Sequence, residues 1–244
     1  MSTYSITPYL FVVYVYNNGM KSHPEKQFVA AAVAVDVALF CIKNQKLHVL
    51  LIELDRPEFP NKWALPGGLV TPHENLDEAV MRHLQDRGGE GESYIEQLGT
   101  YGDPDRDPTG WVVSVAYLAL TTADTFVPKT SSRYKSVAWV SIDNLPELAY
   151  DHKKILADAV LRLKSKVNYS NIVFALLPHE FTFTELQDAY ENILEKHIDK
   201  RNFRKKMLAL NLLEEVPKVK ATGAHRPAQL YQFKDRALHI TQTV

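Results

Sequence analysis

The chain has one cysteine in 244 residues, Cys41, which leaves no partner for an internal disulfide and lies within an apolar run, as suits a reducing cytoplasm. Membrane-length hydrophobic runs are also missing. The longest apolar stretch, residues 28–42, is broken by Asp36 and falls short of the roughly 20 residues a span needs. No basic region precedes the apolar segment at residues 9–15, so a secretory leader is not expected. Net charge is almost absent, at −1, but the balance hides an asymmetry. Residues 179–244 hold 11 Lys+Arg against 9 Asp+Glu, leaving 17 against 20 for the rest. Basic charge clustered near the C-terminal end points to a polyanion partner. The apolar fraction of 45% and charged fraction of 23% are those of a globular protein, with length for one large or two ordinary domains.

What is present is concentrated in residues 63–89, WALPGGLVTPHENLDEAVMRHLQDRGG. A short apolar strand end, Trp63 to Leu65, runs into a tight bend at Pro66, Gly67 and Gly68. Leu76, Ala79, Val80 and Leu84 then recur at spacings of three and four, which predicts a helix over residues 75–87 stopped by Gly88 and Gly89. Upstream, residues 9–16 read as an extra strand and 20–27 as a loop. Residues 28–42 and 47–54 read as two strands joined through a turn at 43–46. Downstream, residues 94–101, 111–120 and 138–142 read as strands. Val137, Trp139 and Val140 suggest that the last is largely buried, and a helix over 151–167 follows.

The central stretch resembles the Nudix box, G-x5-E-x7-R-E-U-x-E-E-x-G-U with U aliphatic. Gly68, Glu74, Arg82, Leu84 and Gly89 match it. Three glutamates are missing, because His83, Asp86 and Arg87 stand in their places, and Glu90 replaces the last aliphatic residue. Those three positions share one helix face, where the family gathers Mg²⁺ against a pyrophosphate. Magnesium needs hard anionic oxygens, and only Asp86 offers one. Arg87 adds repulsion, since unit charges about 4 Å apart interact by roughly 4 kcal/mol at an effective dielectric of about 20. The resemblance implies a Nudix-type mixed-sheet α/β/α sandwich with impaired chemistry: no catalytic residues, no bound metal and no cofactor. Rescue of the metal site by Glu90 or Glu92 is the alternative.

Beyond residue 170 the pattern changes. Residues 172–177 suggest a short apolar helix stopped by Pro178, and a capping box at Thr184 and Gln187 starts a second helix near Glu185. Asp199 can cap a third over residues 200–210, and residues 213–220 and 228–233 read as two strands around Thr222, Gly223 and Ala224. This is the order of a winged helix-turn-helix. Phe203, Met207 and Leu210 face inward, so Arg201 and Lys205 point outward with Asn202 and Arg204 beside them. Such side chains suit guanine, adenine and phosphate, while Lys218, Lys220, His225 and Arg226 fall on the ribbon. For a lone charged helix a solvated basic face is the plainer reading. The capped helix pair before it and the basic hairpin after it favour DNA.

FTFTELQDAYENIL, DKRNFRKKML and HRPAQLYQF, together with the GDPDRDPTG loop at 102–110, resemble Nudix-related transcriptional regulators of the NrtR type. These control NAD metabolism, with relatives controlling pentose use. The likeness runs from about Phe28 to Phe233. It implies a homodimeric repressor in which residues 169–244 bind operator DNA. Residues 1–168, of which 1–27 are an extension, would sense ADP-ribose or another NAD-related nucleotide. Candidate pocket residues are Arg56, Trp63, Arg82 and Arg106, guanidiniums for a pyrophosphate and an aromatic face for a base. Trp63 also fits a core position, and the plainer role of Arg82 is a pair with Glu74. Ala224-His225 departs from the Arg-Gly pair expected before Arg226-Pro227-Ala228. Two other functions fit the chain: an active Nudix pyrophosphohydrolase with an accessory C-terminal domain, and a pentose sensor on the same scaffold.

Overall fold

The structure, a computed structural model, describes residues 30–88, 93–130, 134–220, 227–241 and 243. The strand expected at 9–16, the loop at 20–27 and the turn at Thr222–Ala224 lie outside the described residues. The first part contains β1 (Ala32–Lys43), β2 (Lys46–Leu54), β3 (Trp63–Ala64), β4 (Gly67–Leu69), α1 (Leu76–Gln85) and β5 (Tyr94–Tyr101). It continues through β6 (Val112–Leu120), β7 (Tyr134–Ser141), a 3-10 turn at Ile142–Asn144 and α2 (His152–Tyr169). A 3-10 segment at Ile172–Leu176 leads into β8 (Phe181–Thr182), α3 (Phe183–Leu194), α4 (Lys200–Ala209), β9 (Leu213–Lys220) and β10 (Ala228–Phe233).

The seven-stranded sheet is built outward from β1. β1 runs parallel to β6 from Ala32↔Val112 to Phe40↔Leu120, and pairs antiparallel with β4 near its start and with β2 near its end. β5 flanks β6, while β3 and β7 both pair with β2. Side chains alternate across this sheet, and both faces are covered. Val35, Val37 and Leu39 pack with Val115, Tyr117 and Ala119 under Ala79, Val80 and Leu84 of α1. Ala38 and Phe40 pack with Ala116, Leu118 and Leu120 under Ile155, Leu156, Ala159 and Leu163 of α2. Double coverage explains why β1 reads as a near-continuous apolar run rather than an alternating one.

Several expectations need correction. β1 begins at Ala32, since Ala30 and Ala31 are not in a strand. The Pro66-Gly67-Gly68 bend contains a strand: β4 lies so close to β1 that a Cβ on Gly67 would sit 2.3 Å from the Val35 carbonyl oxygen, an approach only glycine permits. The box helix stops at Gln85, two residues early, and Gly88 at φ +108° turns the chain away. β7 starts at Tyr134 and is half-buried rather than largely buried, with Lys135 exposed, because it borders the sheet beside β2. The turn between β1 and β2 is as expected, with Asn44 and Gln45 both at positive φ, the geometry of a tight two-residue hairpin.

In the second part β8, β10 and β9 form a three-stranded sheet beside α3 and α4. The capping box lies two residues earlier than expected: Thr182 Oγ1 accepts from the Glu185 backbone, and the Glu185 carboxylate accepts from the Thr182 N–H at 2.7 Å. Both threonines fit the pattern, and the burial of Phe183 as the first helical residue selects Thr182. The core under α2 continues without a break into this part, through Ile172 to Leu177, Phe181, Phe183, Leu186, Tyr190, Phe203 and Met207. Thr182→Ala is expected to lower unfolding free energy by about 1 kcal/mol in urea titration. An unchanged midpoint and slope would show that the cap contributes nothing.

Candidate functional site

The box helix begins with Asn75, whose side chain accepts from the Glu78 backbone while Glu78 answers onto the Asn75 N–H. This cap fixes the first turn, and Glu74 just before it holds the loop by accepting from Thr71 N–H at 2.6 Å. Arg82 grips both Glu74 oxygens, Nε to Oε2 at 2.8 Å and Nη2 to Oε1 at 2.6 Å, and also donates to the Leu69 carbonyl. Its hydrogen bonds pull the Glu74 carboxyl down to about 2. Arg82 therefore takes the fastening role, binding α1 to the loop and to β4.

Arg87 turns inward. It is 2% exposed and donates to the carbonyls of His83 and Gly67 and to the Tyr134 hydroxyl at 2.5 Å, with its guanidinium 4.9 Å from the Tyr134 ring centre. A cation thus sits where the box pattern has a metal-holding acid. His83, also buried, receives an Arg87 N–H at its Nδ1, 3.4 Å away, which places the ring proton on Nε2. That Nε2 has no hydrogen-bond partner among the described residues. Burial first and the Arg87 charge second push the His83 pKa down to about 4. Asp86 is exposed, and among the described residues no group of three His, Cys, Asp or Glu side chains could hold a metal ion. The donor set described does not fit magnesium. Glu90 and Glu92, the alternative ligands, lie outside the described residues.

The other three candidate pocket residues gather around the start of α2. Trp63 is half-buried on β3, where its N–H donates to Glu147 O at 3.0 Å and its carbonyl accepts from Ala149 N–H at 2.8 Å. Arg56 is exposed and donates to the Tyr150 hydroxyl at 3.3 Å. Arg106 is buried, its guanidinium taken by a two-pronged pair with Asp151 at 2.7 and 3.0 Å and by Asp36 at 3.0 Å, so it is not presented to a ligand in this structure. Ser114 Oγ donates to the same Asp36 carboxylate at 2.6 Å, and His152 Nε2 lies 3.3 Å from it. The Leu65 N–H donates to His152 Nδ1 at 2.9 Å, which keeps the imidazole proton on Nε2, facing Asp36. Burial alone would raise the Asp36 pKa, but His152, Ser114 and Arg106 outweigh it and hold the carboxyl at about 2. Asp36, Ser114, Asp151 and His152, which complete this buried network, were not singled out from the sequence. The only signal was a charge inside an apolar strand, which demands partners wherever it is buried.

In the second part Asp199 caps α4 by accepting from Asn202 N–H at 2.8 Å. Phe203 and Met207 are buried, Arg201 and Lys205 are exposed on the opposite face, and Asn202 and Arg204 are exposed on the flanks between. Arg204 leans back, donating to the Tyr231 hydroxyl at 2.6 Å. Lys220 on β9 pairs with Glu185 at 2.6 Å. Arg226 and the Lys218 side chain lie outside the described residues.

Residues 32–159 match the family described as NUDIX domain, and residues 173–233 match the NrtR DNA-binding winged helix domain. The ADPR responsive transcriptional repressor NtrR of Acinetobacter baylyi is 35% identical over 220 residues, covering 88% of this chain and 86% of its own. The chain belongs to the NrtR family of Nudix-related regulators. Shewanella oneidensis NrtR, crystallised with a 27mer DNA, superposes at a TM-score of 0.74 with 34% identity, over 83% of this chain and 93% of its own. The NUDIX domain of that NrtR, crystallised with ADP ribose, gives 0.50 and 34% over 58% of this chain and 94% of its own. In NrtR terms, α3, α4 and the β8–β10 sheet are the winged helix, and the sandwich around β1 is the Nudix part. No helix among the described residues is long and apolar enough to cross a membrane.

The His83 shift has a defined sign. A histidine held neutral in the fold, with its pKa lowered from 6.5 to about 4, contributes stability that is complete above pH 6.5 and is lost as pH falls toward 4. Unfolding free energy should fall over that window by an amount of order 3 kcal/mol. His83→Gln should flatten the profile there, and an equally steep profile in the variant would assign the loss to other groups.

Proposed function

We propose that this chain is an ADP-ribose-responsive transcriptional repressor, reading operator DNA through α4 and the β9–β10 ribbon and sensing its effector in the Nudix part. The observation that carries this reading is the 35% identity to an ADPR responsive repressor along nearly the whole chain, sandwich and winged helix together. The likeness to a NUDIX domain crystallised with ADP ribose supports the effector class over a pentose. The exposed Arg201, Asn202 and Lys205 support base and phosphate contacts by α4. We place the boundary between sensing and reading units near residues 168 and 169, and take the working form to be a homodimer, as two operator half-sites require.

We further infer that the box does not hydrolyse its ligand. Arg87 and His83 bury positive and neutral groups where anionic oxygens are needed, Glu74 is committed to Arg82, and Asp86 alone cannot complete a magnesium site. Arg56, Arg82 and Trp63 remain candidates for the ligand cleft. Arg106 fits a role in holding the 102–110 loop against α2.

ADP-ribose should raise the melting temperature of the full-length chain without added Mg²⁺, and should alter its gel shift on DNA from its own upstream region. Pentoses should do neither. Release of AMP from ADP-ribose that needs Mg²⁺ and is abolished by Asp86→Ala would instead establish a hydrolase. For DNA reading, Arg201→Ala and Lys205→Ala should each weaken binding without unfolding the protein, flattening the log–log salt dependence by about 0.9 per lost phosphate contact. Unchanged affinity in both would remove α4 from the interface.

A further inference from the structure

Arg204 differs in kind from its neighbours on α4. Like Asn202 it lies about 100° from the buried Phe203, whereas Arg201 and Lys205 lie about 160° away, and like all three it is exposed; what sets it apart is where its guanidinium goes. Its guanidinium carbon sits 4.6 Å from the ring centre of Phe183 and 5.4 Å from that of Tyr231. Nη2 donates to the Tyr231 hydroxyl at 2.6 Å, and that hydroxyl donates onward to Glu215 Oε1 at 3.1 Å. Tyr231 and Glu215 are cross-strand partners on β10 and β9, and Phe183 opens α3. The two rings meet edge-on at 5.2 Å and 90°, and both are buried, so they form a fixed seat. One side chain of α4 is thereby tied to α3 and to both strands of the ribbon.

We propose that Arg204 is a positioning residue of the DNA-reading surface: it sets the angle between α4 and the β9–β10 ribbon and does not itself contact DNA. This rests on the reading of α4 as the DNA-reading helix. A planar guanidinium is needed because it must lie against the rings and donate in plane at once. An ammonium keeps the charge but loses that geometry.

The test uses the full-length chain and two duplexes, one selected by the wild-type protein from a randomised pool and a scrambled version of it. Arg204→Met, Arg204→Lys and Tyr231→Phe are compared with Arg201→Ala. Each of the first three is expected to lose about tenfold in affinity for the selected duplex. Affinity for the scrambled duplex should stay within about twofold, with an unchanged salt slope. The fall in the selected-to-scrambled ratio is a readout that a loss of fold stability alone would not move. The Tyr231 hydroxyl is buried in the seat, so its removal probes positioning without taking away a charge. If Arg204→Met does not fold, Arg204→Lys and Tyr231→Phe decide the matter, and a wild-type ratio in both overturns the proposal. So does a flattening of the slope by about 0.9 in Arg204→Met with binding retained in Arg204→Lys, the signature of a phosphate contact. If Arg201→Ala loses slope while the ratio stays intact in the other variants, the positioning role alone is rejected. No change in any of the four variants rejects the reading of α4 itself.

Discussion

A carboxylate in the middle of a strand covered on both faces is the constraint to which the Nudix part is fitted. Asp36 is 6% exposed, between Val35 and Val37, which are fully buried. An isolated charge there would be very costly, and three partners from three elements answer it: Ser114 on β6, Arg106 on the loop after β5, and His152 at the first turn of α2. Each partner is held by something else. Asp151 fixes Arg106, and the Leu65 backbone fixes His152, so satisfying one buried charge also sets the 102–110 loop, the start of α2 and the approach to β4. Removing one member of such a buried group typically costs about 3–5 kcal/mol, because the remaining charge is left uncompensated.

At the box the charges are arranged the other way round. A metal site needs several acids sharing a face, and their mutual repulsion is relieved only by the cation they bind. Here the face is neutralised from within. Arg87 satisfies the carbonyls of His83 and Gly67 and lies against Tyr134, while His83 is kept neutral by burial beside it. Arg82 and Glu74 preserve the one part of the box that is mechanical, the fastening of the helix to the preceding loop. Geometry of the Nudix kind persists with a buried Arg87 and a buried His83 at two positions where the box pattern has glutamate.

Much of this was legible in the residues. β5, β9 and β10 agree with expectation to the residue, since each is bounded by polar or glycine-rich sequence that ends pairing. The hairpin turn, the cap at Asp199 and the pair between Arg82 and Glu74 were equally plain. Other features depend on what lies across space. Gly67 and Gly68 look like a turn whether or not a strand runs beside them, and only the approach of Val35 makes them β4. Thr182 and Thr184 both open a capping pattern, and tertiary burial of Phe183 decides between them. Arg87 was legible as a wrong charge but not as one turned into the interior. Asp36 registered only as a break in an apolar run, and His152, more than a hundred residues away, carried no local sign of its role.

Under the proposed function, coupling between a ligand in the sandwich and a helix on DNA would require modest energy, since about 1–3 kcal/mol changes affinity about 5- to 150-fold. A flexible linker would dissipate so small a bias. Between α2 and the 3-10 segment at Ile172 there are only Ser170 and Asn171, both buried, with Ser170 donating to the Lys166 carbonyl and Asn171 to the Ala237 carbonyl. The chain end folds back to close the same joint: Thr241 N–H donates to Tyr169 O at 2.7 Å, and Thr243 Oγ1 donates to the Val167 carbonyl. α2 is thus held at its start by the Asp36 network and at its finish by the segment beyond the ribbon, and Leu163 and Val167 lie in the core shared with α3. A packed interior resists continuous deformation, and here the same core is shared by α2 and by α3. The joint between α2 and the 3-10 segment is thus packed and hydrogen-bonded on both sides, with the core under α2 running on beneath α3.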